Sequence, residues 1–594
     1  MTNNNLPAWD LSDLYSSTKD PKIAADIEKY KTEAEQFAKN YKGKLASLSA
    51  EQFANALQQI EKMSILAHKL GGFAHLNMST QLNNPEATAF YQNITEAFAQ
   101  IEQYTLFFGI ELAKIDDDKI EQWLKDEKVT AFAPFIKRSR KYRKHYLSEE
   151  LESLLLDKSI TSDGAWVRLY EESSARLKYT IDGKEYNDAQ ISKFLLDKDA
   201  SLREKAGKEL NRVSKENSYL STFAYNMIIK DKEIEDNRRG YKTPMAAMNL
   251  ANSIDQETLD ALCNSVRENY KNISHRFYRL KAKWLGVEKI GYWDRNAPLP
   301  FASDKHYSWN EAVQTVLKSY EEFSPKLRHI ADNFFSHNWI DVPPRDGKRS
   351  GAFASPVSAA HHPYLFLNFV GKQNDVLTLA HELGHGCHMF LSAKQGEIND
   401  ATPLTLAEVA SVFAEMLTFQ SILRSTSDDK EKLALIASKT SDMINTAIRQ
   451  ISFHFFEERA HNERKNGELT TDRLNQIWLE EMSESLGEYV DVTQDSQYIW
   501  SQVGHFYFAP FYVYAYSFAD CLVNSLYQTY TEGNVPDFAN KYLDMLSKTG
   551  IEKYDELLKP FGLDAKDKNF WNKGLSLISS YIDELERLDK KIYG

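Results

Sequence analysis

The stretch LTLAHELGHGCHMF, Leu377–Phe390, places histidines and a glutamate inside an apolar segment with helical spacing. His381 and His385 are four positions apart, so a helix directs both imidazoles from one face. With Glu382 beside the first histidine, this is the zinc-protease arrangement, in which two imidazoles hold the ion and the glutamate reaches water on it. Polar groups on a buried helix need such partners. The stretch therefore predicts a metal-binding helix.

The third metal ligand must come from another segment, because zinc usually has four ligands and this helix supplies two. The next segment, residues 402–423, predicts an apolar helix with Glu408 and Glu415 seven positions apart on one stripe. Glu408 can ligate the metal, or it can close a capping box with Thr405. Pro403 favours a helix start at Thr402, which frees Glu408. Glu415 is then expected to orient a ligand histidine through its second ring nitrogen.

His388 lies seven positions after His381, near the same helix face. It can hydrogen-bond substrate or a carboxylate, or it can be a satisfied core histidine. Position 391 is leucine, which excludes the longer histidine motif of the metzincins.

A second polar group stands in WSQVGHFYFAPFYVYAYSFAD, residues 500–520, where one histidine precedes four tyrosines. Aromatic-rich helices are usually core, yet phenols and an imidazole can also stabilise an oxyanion. Tyr512 and Tyr516 are four apart and are predicted to share a helix face, whereas Tyr514 is predicted to point away. His505 precedes them.

Composition restricts the class of protein. The 594 residues carry a net charge of −13 and are 42% hydrophobic, which is typical of a soluble globular protein and makes nucleic acid an unexpected partner. The basic run at residues 137–146 is expected to be a solvated helix surface. Three widely spaced cysteines predict neither a disulfide framework nor a cysteine metal site, and favour a reducing, cytoplasmic location. We expect no signal peptide and no membrane span.

Most of the chain has the periodicity of amphipathic helices, for example after a cap at Ser49, in residues 84–115, 255–284 and 433–486. Asp182-Gly183 predicts a hairpin, and PYLFLNFVG, Pro363–Gly371, predicts a strand just before the histidine helix. The fold class is therefore mainly α with a small sheet. We place a domain boundary near residue 200, between a helical region, 1–200, and a catalytic domain, 201–594.

These segments together resemble the oligoendopeptidase F type of M3 zinc metallopeptidase, the thimet oligopeptidase group. The similarity runs over nearly the whole chain and is carried by LPAWDLSDLY, NRRGYKTPMAAMNLANSID, YWDRNAPLP, HELGHGCH, LAEVASVFAE and HFYFAPFYVYAY. One extra residue in the FAP segment between HFY and FYVY departs from typical members.

The resemblance implies one Zn²⁺ ion on His381, His385 and Glu408, with Glu382 as the catalytic base. It also implies that His505, Tyr512 and Tyr516 bind the oxyanion, with Tyr514 behind them or in contact with substrate. The implied fold is a two-lobed helical body with a deep channel, in which residues 1–200 form part of the wall. Its substrates would be short unstructured oligopeptides cut at internal bonds.

We further expect the strand at 363–371 to be an edge to which peptide adds, with His361 beside it. Two other functions stay open: a metallocarboxypeptidase, and a non-catalytic peptide-binding protein with a structural zinc.

Overall fold

The structure is a computed structural model that describes residues 6–301 and 305–594. Helices make up 69% of it and the sheets are small, so the mainly α prediction is confirmed. Residues 1–5 lie outside the described residues. They belong to the N-terminal stretch in which we expect no signal peptide.

The chain forms two compact units that each use several stretches of sequence, 1–143, 304–425 and 534–562 for the first and 144–303, 426–533 and 563–594 for the second. We call them the metal unit and the tyrosine unit. Neither unit begins or ends at residue 200. The domain boundary that the sequence predicts there stays a prediction.

The metal unit is built from helices and one three-stranded sheet. Its helices are Pro21–Tyr41, Ala50–Ser79, Pro85–Glu102, Leu106–Lys114, Asp117–Trp123, Glu127–Thr130, Ala133–Arg140, Trp309–Phe323, Pro325–Ser336, Gln373–Ser392, Leu404–Ala407, Val409–Ser425, Phe538–Leu546 and Tyr554–Leu558. Its strands are Ile340–Asp341, Phe353–Ser355 and Tyr364–Phe366.

The tyrosine unit is also helical, with two small two-stranded sheets. Its helices are Glu149–Ser159, Asp163–Ala175, Asp188–Phe194, Ala200–Glu216, Ser218–Arg239, Ala246–Ala251, Gln256–Glu268, Arg276–Leu285, Asp429–Met443, Arg449–Arg464, Thr471–Leu486, His505–Phe508, Tyr514–Glu532 and Lys568–Tyr593, with π-helical turns at Lys271–His275 and Ile444–Ile448. Its strands are Tyr179–Ile181, Lys184–Tyr186, Ile290–Gly291 and Val490–Asp491.

Local signals in the sequence predicted several of these elements. Ser49 caps its helix in a reciprocal box with Gln52. Asp182 and Gly183 both have positive φ, 50° and 78°, in the turn between two paired strands, as the hairpin requires. The predicted helix over residues 84–115 is interrupted after Glu102, and a new helix begins at Leu106.

The basic run at 137–146 is less solvated than predicted. The Arg140 side chain is only 9% exposed, and both it and Arg143 form ion pairs with Asp117 at 2.6 Å. Arg138 donates to the carbonyl groups of residues 398 and 399. These cations therefore bond to other segments of the metal unit instead of only to solvent.

The strand Tyr364–Phe366 lies in the centre of its sheet, not at the edge. Ile340–Asp341 pairs with it in parallel on one side, and Phe353–Ser355 pairs antiparallel on the other. All three of its residues are buried, which agrees with its continuous apolar run. The prediction of an edge strand here was wrong, and the edge belongs to Phe353–Ser355, which we call the edge strand.

The helix Gln373–Ser392, which we call the histidine helix, packs closely against Val409–Ser425, the glutamate helix. At Gly384 a Cβ atom would lie 2.8 Å from both the Ala410 carbonyl oxygen and the Ser411 Cα. The two backbones therefore touch at a position where only glycine fits.

One segment, Leu404–Ser425, is long and apolar enough to cross a membrane by length and composition alone. The sequence analysis predicted no membrane span, so this segment is longer and more apolar than that prediction allowed. Within the most apolar window of this helix, 67% is buried in the protein, as is typical of a core helix.

Candidate active site

His381, His385 and Glu408 meet at one point of the metal unit. Glu408 Oε2 lies 3.3 Å from Nε2 of each histidine. One potential ligand atom from each of the three residues lies within 4.8 Å of the other two, and all three side chains are partly exposed. Two imidazoles and a carboxylate with an open side are the donor set of a catalytic zinc site.

Glu408 reaches the histidines from a break in its helix. It sits between Leu404–Ala407 and Val409–Ser425 with φ −86° and ψ −1°. The first segment is capped at Pro403, one residue later than predicted, and Thr405 is inside it, so the alternative capping-box role is excluded. Ser411 Oγ donates to Glu408 Oε2 at 2.7 Å and holds the carboxylate in place.

Glu415 contacts the other side of His381. Its Oε2 lies 3.3 Å from His381 Nδ1, leaving Nε2 directed at the cluster. Burial alone would lower the pKa of His381, but hydrogen bonds to Glu408 and Glu415 raise that pKa to about 10. Burial would raise the pKa of Glu408, but its bonds to the two imidazoles hold that pKa far below its usual range. A cation in place of these protons would satisfy the same groups.

Glu382 is buried beside the cluster with no partner for one oxygen. The residue is 7% exposed, and Oε2 has no hydrogen bond. Burial raises the pKa of its carboxyl group, whereas His381 and His385 lower it. An orphaned buried carboxylate next to a metal-ligand set fits a group that exchanges protons with water at the ion.

Among the described residues, His388 and His361 lie outside the group that could hold a metal ion. His388 Nε2 lies 2.6 Å from Thr549 Oγ1, and burial lowers the pKa of His388 to about 4, so it stays neutral. This matches a satisfied core histidine, although its side chain also lines the cavity described next. His361 Nδ1 lies 2.7 Å from Ser358 Oγ. Their predicted contacts with substrate stay predictions.

An open cavity of about 590 Å³ lies over the cluster. It is lined by His381, Glu382, His385 and Glu408 on one side and by residues 352–354 and 356, at the edge strand, on the other. The cavity thus lies between the candidate metal ligands and the edge strand.

The direction of the edge strand's backbone groups follows from its neighbour. Leu365 donates its N–H to the Trp339 carbonyl oxygen, which lies on the side away from the edge strand. Successive residues of a strand point their N–H groups to opposite sides, so Tyr364 and Phe366 point theirs towards the edge strand. Ala354 is opposite Leu365, and its N–H and C=O therefore point out from the sheet.

His505, Tyr512 and Tyr516 come together in the tyrosine unit. The rings of His505 and Tyr512 stack at 5.3 Å, and Tyr516 Oη lies 3.3 Å from His505 Nε2. The Tyr512 and Tyr516 rings are 5.2 Å apart. Their predicted proximity is confirmed, but Tyr512 precedes the helix that begins at Tyr514 instead of lying on it.

Sequence reasoning missed the turn that positions Tyr512. Phe511 has a left-handed φ of 63°, which is rare for a bulky residue, and its N–H donates to Glu457 Oε1 at 2.8 Å. Glu457 is fully buried, and burial raises its pKa. No local signal marks a left-handed phenylalanine, although Phe511 directly follows the FAP segment that departs from typical family members.

Tyr514 points into the core, as predicted. It is fully buried, and its hydroxyl accepts a hydrogen bond from Asn252 at 3.0 Å. Tyr514 can therefore support the histidine–tyrosine group only by packing in the core.

Tyr512→Phe and Tyr516→Phe provide a test of the oxyanion assignment. Each change removes one phenol donor, and loss of a single donor typically lowers kcat by about 10²-fold. Tyr514→Phe is the matched control and should lower kcat less, since its hydroxyl is buried in the core against Asn252. Steady-state kcat and KM of the three variants measure this. A kcat loss confined to Tyr514→Phe would contradict the assignment.

A mainly helical protein that holds this ligand set over an open cavity falls in the class of His-Glu-x-x-His metallopeptidases. The sequence model of peptidase family M3 matches residues 194–577, and that of the oligopeptidase F N-terminal region matches 111–179. The first match covers well over half of the chain. The chain belongs to peptidase family M3.

Relatives of similar length support this. Oligopeptidase PepF of Bacillus subtilis is 25% identical, over 98% of this chain and 87% of its own length. The plasmid-encoded oligoendopeptidase F of Lactococcus lactis subsp. cremoris is 25% identical, over 99% and 98%. Oligoendopeptidase-F of Enterococcus faecium shares the fold, with a TM-score of 0.72 at 22% identity, over 96% and 99%. The chain is a metalloendopeptidase that hydrolyses peptides.

Proposed function

We propose that this protein is a zinc-dependent endopeptidase of short, unstructured oligopeptides. The observation that carries the proposal is the convergence of His381, His385 and Glu408 next to the unpaired carboxylate of Glu382, on an open cavity. Three protein ligands favour a catalytic ion over a structural one, because structural zinc sites are usually closed by four.

Each side chain of the site has a distinct role in this proposal. His381, His385 and Glu408 would hold the ion, and Glu415 would keep His381 in the ligating orientation. When bound, the metal supplies Lewis-acid chemistry for attack of water on the peptide carbonyl. Glu382 accepts the proton of the attacking water and passes it to the leaving nitrogen. His505, Tyr512 and Tyr516 are assigned to the oxyanion by the family resemblance.

Substrate would bind in extended form along the edge strand. Ala354 offers an outward N–H and C=O beside the cavity, which is the arrangement that adds a peptide as a further strand. Main-chain bonds of this kind hold peptides of many sequences, and they require an unfolded substrate.

Ala354→Pro tests this binding mode. It removes the outward N–H without removing a bond to the neighbouring strand, so KM should rise about 2- to 10-fold with little change in kcat, the loss of one hydrogen bond. Ala354→Ser keeps the N–H and serves as control. Equal KM values for the two variants, measured with one peptide and with metal content verified, would count against strand addition.

An endopeptidase and a carboxypeptidase differ in their products. A peptide pool incubated with and without chelator, and read by mass spectrometry, should show internal cleavage that depends on metal. Inclusion of one peptide with an amidated C-terminus separates the two activities, since a carboxypeptidase would leave it intact. Binding without cleavage would instead favour the peptide-binding alternative.

The proposed location is cytoplasmic. Cys263, Cys387 and Cys521 are all free and buried, in keeping with a reducing compartment.

A further inference from the structure

The tyrosine unit contains a small cavity, of about 130 Å³, that is lined by two arginines. Arg295 and Arg449 border it together with Tyr292, Asn296 and Gln502. None of these residues belongs to the metal site or to the histidine–tyrosine group, so the cavity has no part in the chemistry proposed above.

The two guanidinium groups lack carboxylate partners among the described residues. Arg295 Nη1 donates to Asn445 Oδ1 at 3.0 Å, a neutral acceptor, and its Nε is buried without a partner. Arg449 Nε is likewise buried and unbonded. Arg203, close by, shows the contrast, because its Nε lies 2.6 Å from Asp294 Oδ1.

The Nη atoms, not the buried Nε atoms, are the donors that can reach an ion in the cavity. In both arginines the atom that is buried and unbonded is Nε. The polar neighbours of these groups are neutral, since Arg449 interacts with the Tyr292 hydroxyl and Arg295 with the Tyr278 hydroxyl, and both arginines line the cavity. Two guanidinium groups thus present several donors to one enclosed space.

Lys281, Arg295 and Arg449 bring three buried cations together here, and Asp294 and Asp442 offset part of the charge around Lys281. Lys281 is 2% exposed and donates to the Arg295 carbonyl oxygen at 2.6 Å. Burial, with the charge of Arg295, lowers the pKa of Lys281 to about 7, and burial and Arg295 also lower that of Arg449 to about 10. Asp495 is the one carboxylate that lines the cavity, and it is exposed at the surface. Unpaired buried cations are costly, so the site calls for an anion.

We propose that this cavity binds one small oxyanion, a phosphate or a carboxylate, between Arg295 and Arg449. Planar guanidinium groups bind such anions through paired N–H donors. The volume admits an ion of this size and excludes nucleotides.

The anion would stabilise the start of the helix Arg449–Arg464, which packs against the helix that carries Tyr516. Arg449 is the first residue after the π-helical turn Ile444–Ile448. Ser517, one residue after Tyr516, donates to the carbonyl groups of Thr446 and Ala447 in that turn, at 3.0 and 2.8 Å. The anion site and the histidine–tyrosine group therefore share one structural support.

Equilibrium dialysis of the full chain against radiolabelled phosphate tests the proposal. We expect saturable binding of one phosphate per chain. Arg449→Met should weaken it by about 10- to 100-fold, the loss of charged hydrogen bonds, and Arg449→Lys, which keeps the charge without the fork, should weaken it less. Arg587→Met, at an exposed arginine paired with Glu584, is the matched control. Circular dichroism verifies that each variant is folded.

Dialysis is repeated after chelation, so that phosphate on a metal ion is separated from phosphate on the arginines. The proposal would be overturned if binding disappeared with the metal or persisted unchanged in Arg449→Met. Absence of binding to the wild type at about 10 mM phosphate, which would largely fill a site with a millimolar Kd, would overturn it too. Acetate as competitor identifies the source: displacement of phosphate shows that carboxylates bind, and no displacement restricts the site to phosphate.

Discussion

Glu408→Ala is expected to abolish tight metal binding and peptidase activity together. The change removes the carboxylate whose Oε2 lies 3.3 Å from both imidazoles, leaving two neutral ligands for a dication. Zinc bound by two histidines alone is far from its usual set of three protein ligands and water. Metal content after dialysis, measured beside activity, gives the result.

Glu415→Ala is the matched comparison from the same helix. Glu415 is about 10.5 Å along the helix axis from Glu408, so the two cannot ligate one ion directly. Its loss frees His381 Nδ1 and should weaken metal affinity only about 10- to 100-fold, as loss of an outer hydrogen-bond partner does. Metal retained by Glu408→Ala and lost by Glu415→Ala would reverse the two roles.

Glu382→Gln is expected to retain the metal and lose nearly all turnover. The amide has almost the same shape but cannot accept the proton of the attacking water, and general-base catalysis typically contributes 10²- to 10⁴-fold. The substitution also leaves the ligand set intact, because Glu382 is not part of it.

Two measurements separate this role from a structural one. Metal content should equal that of the wild type, and KM should change much less than kcat. A variant that keeps more than about a tenth of wild-type kcat would disprove the assignment of Glu382 as the base.

The metal site was predictable because its signals are local. His381, Glu382 and His385 follow from helical spacing, whereas the residues alone left Glu408 open between a metal ligand and a capping box, and the family resemblance implied the ligand. The outward backbone of Ala354 was not predictable, since it depends on which strand takes the centre of a sheet assembled from distant segments.

The turn at Phe511 escaped prediction for a different reason. Its left-handed backbone is held by Glu457, which is 54 residues away in sequence. Local propensity opposes that conformation for phenylalanine, and only the tertiary contact stabilises it. The same contact explains why Tyr512 reaches Tyr516 without lying on its helix.

The backbone contact at Gly384 has a consequence for the tolerance of the site to natural variation. Gly384 binds neither metal nor peptide, yet a single methyl group there would collide with Ala410 and Ser411 of the glutamate helix. Relief of the collision would move that helix, and Glu408 at its start, away from the histidines. A homologous sequence could therefore keep every ligand and still lose the ion's coordination geometry, so inheritance of the motif letters alone does not guarantee inheritance of the activity.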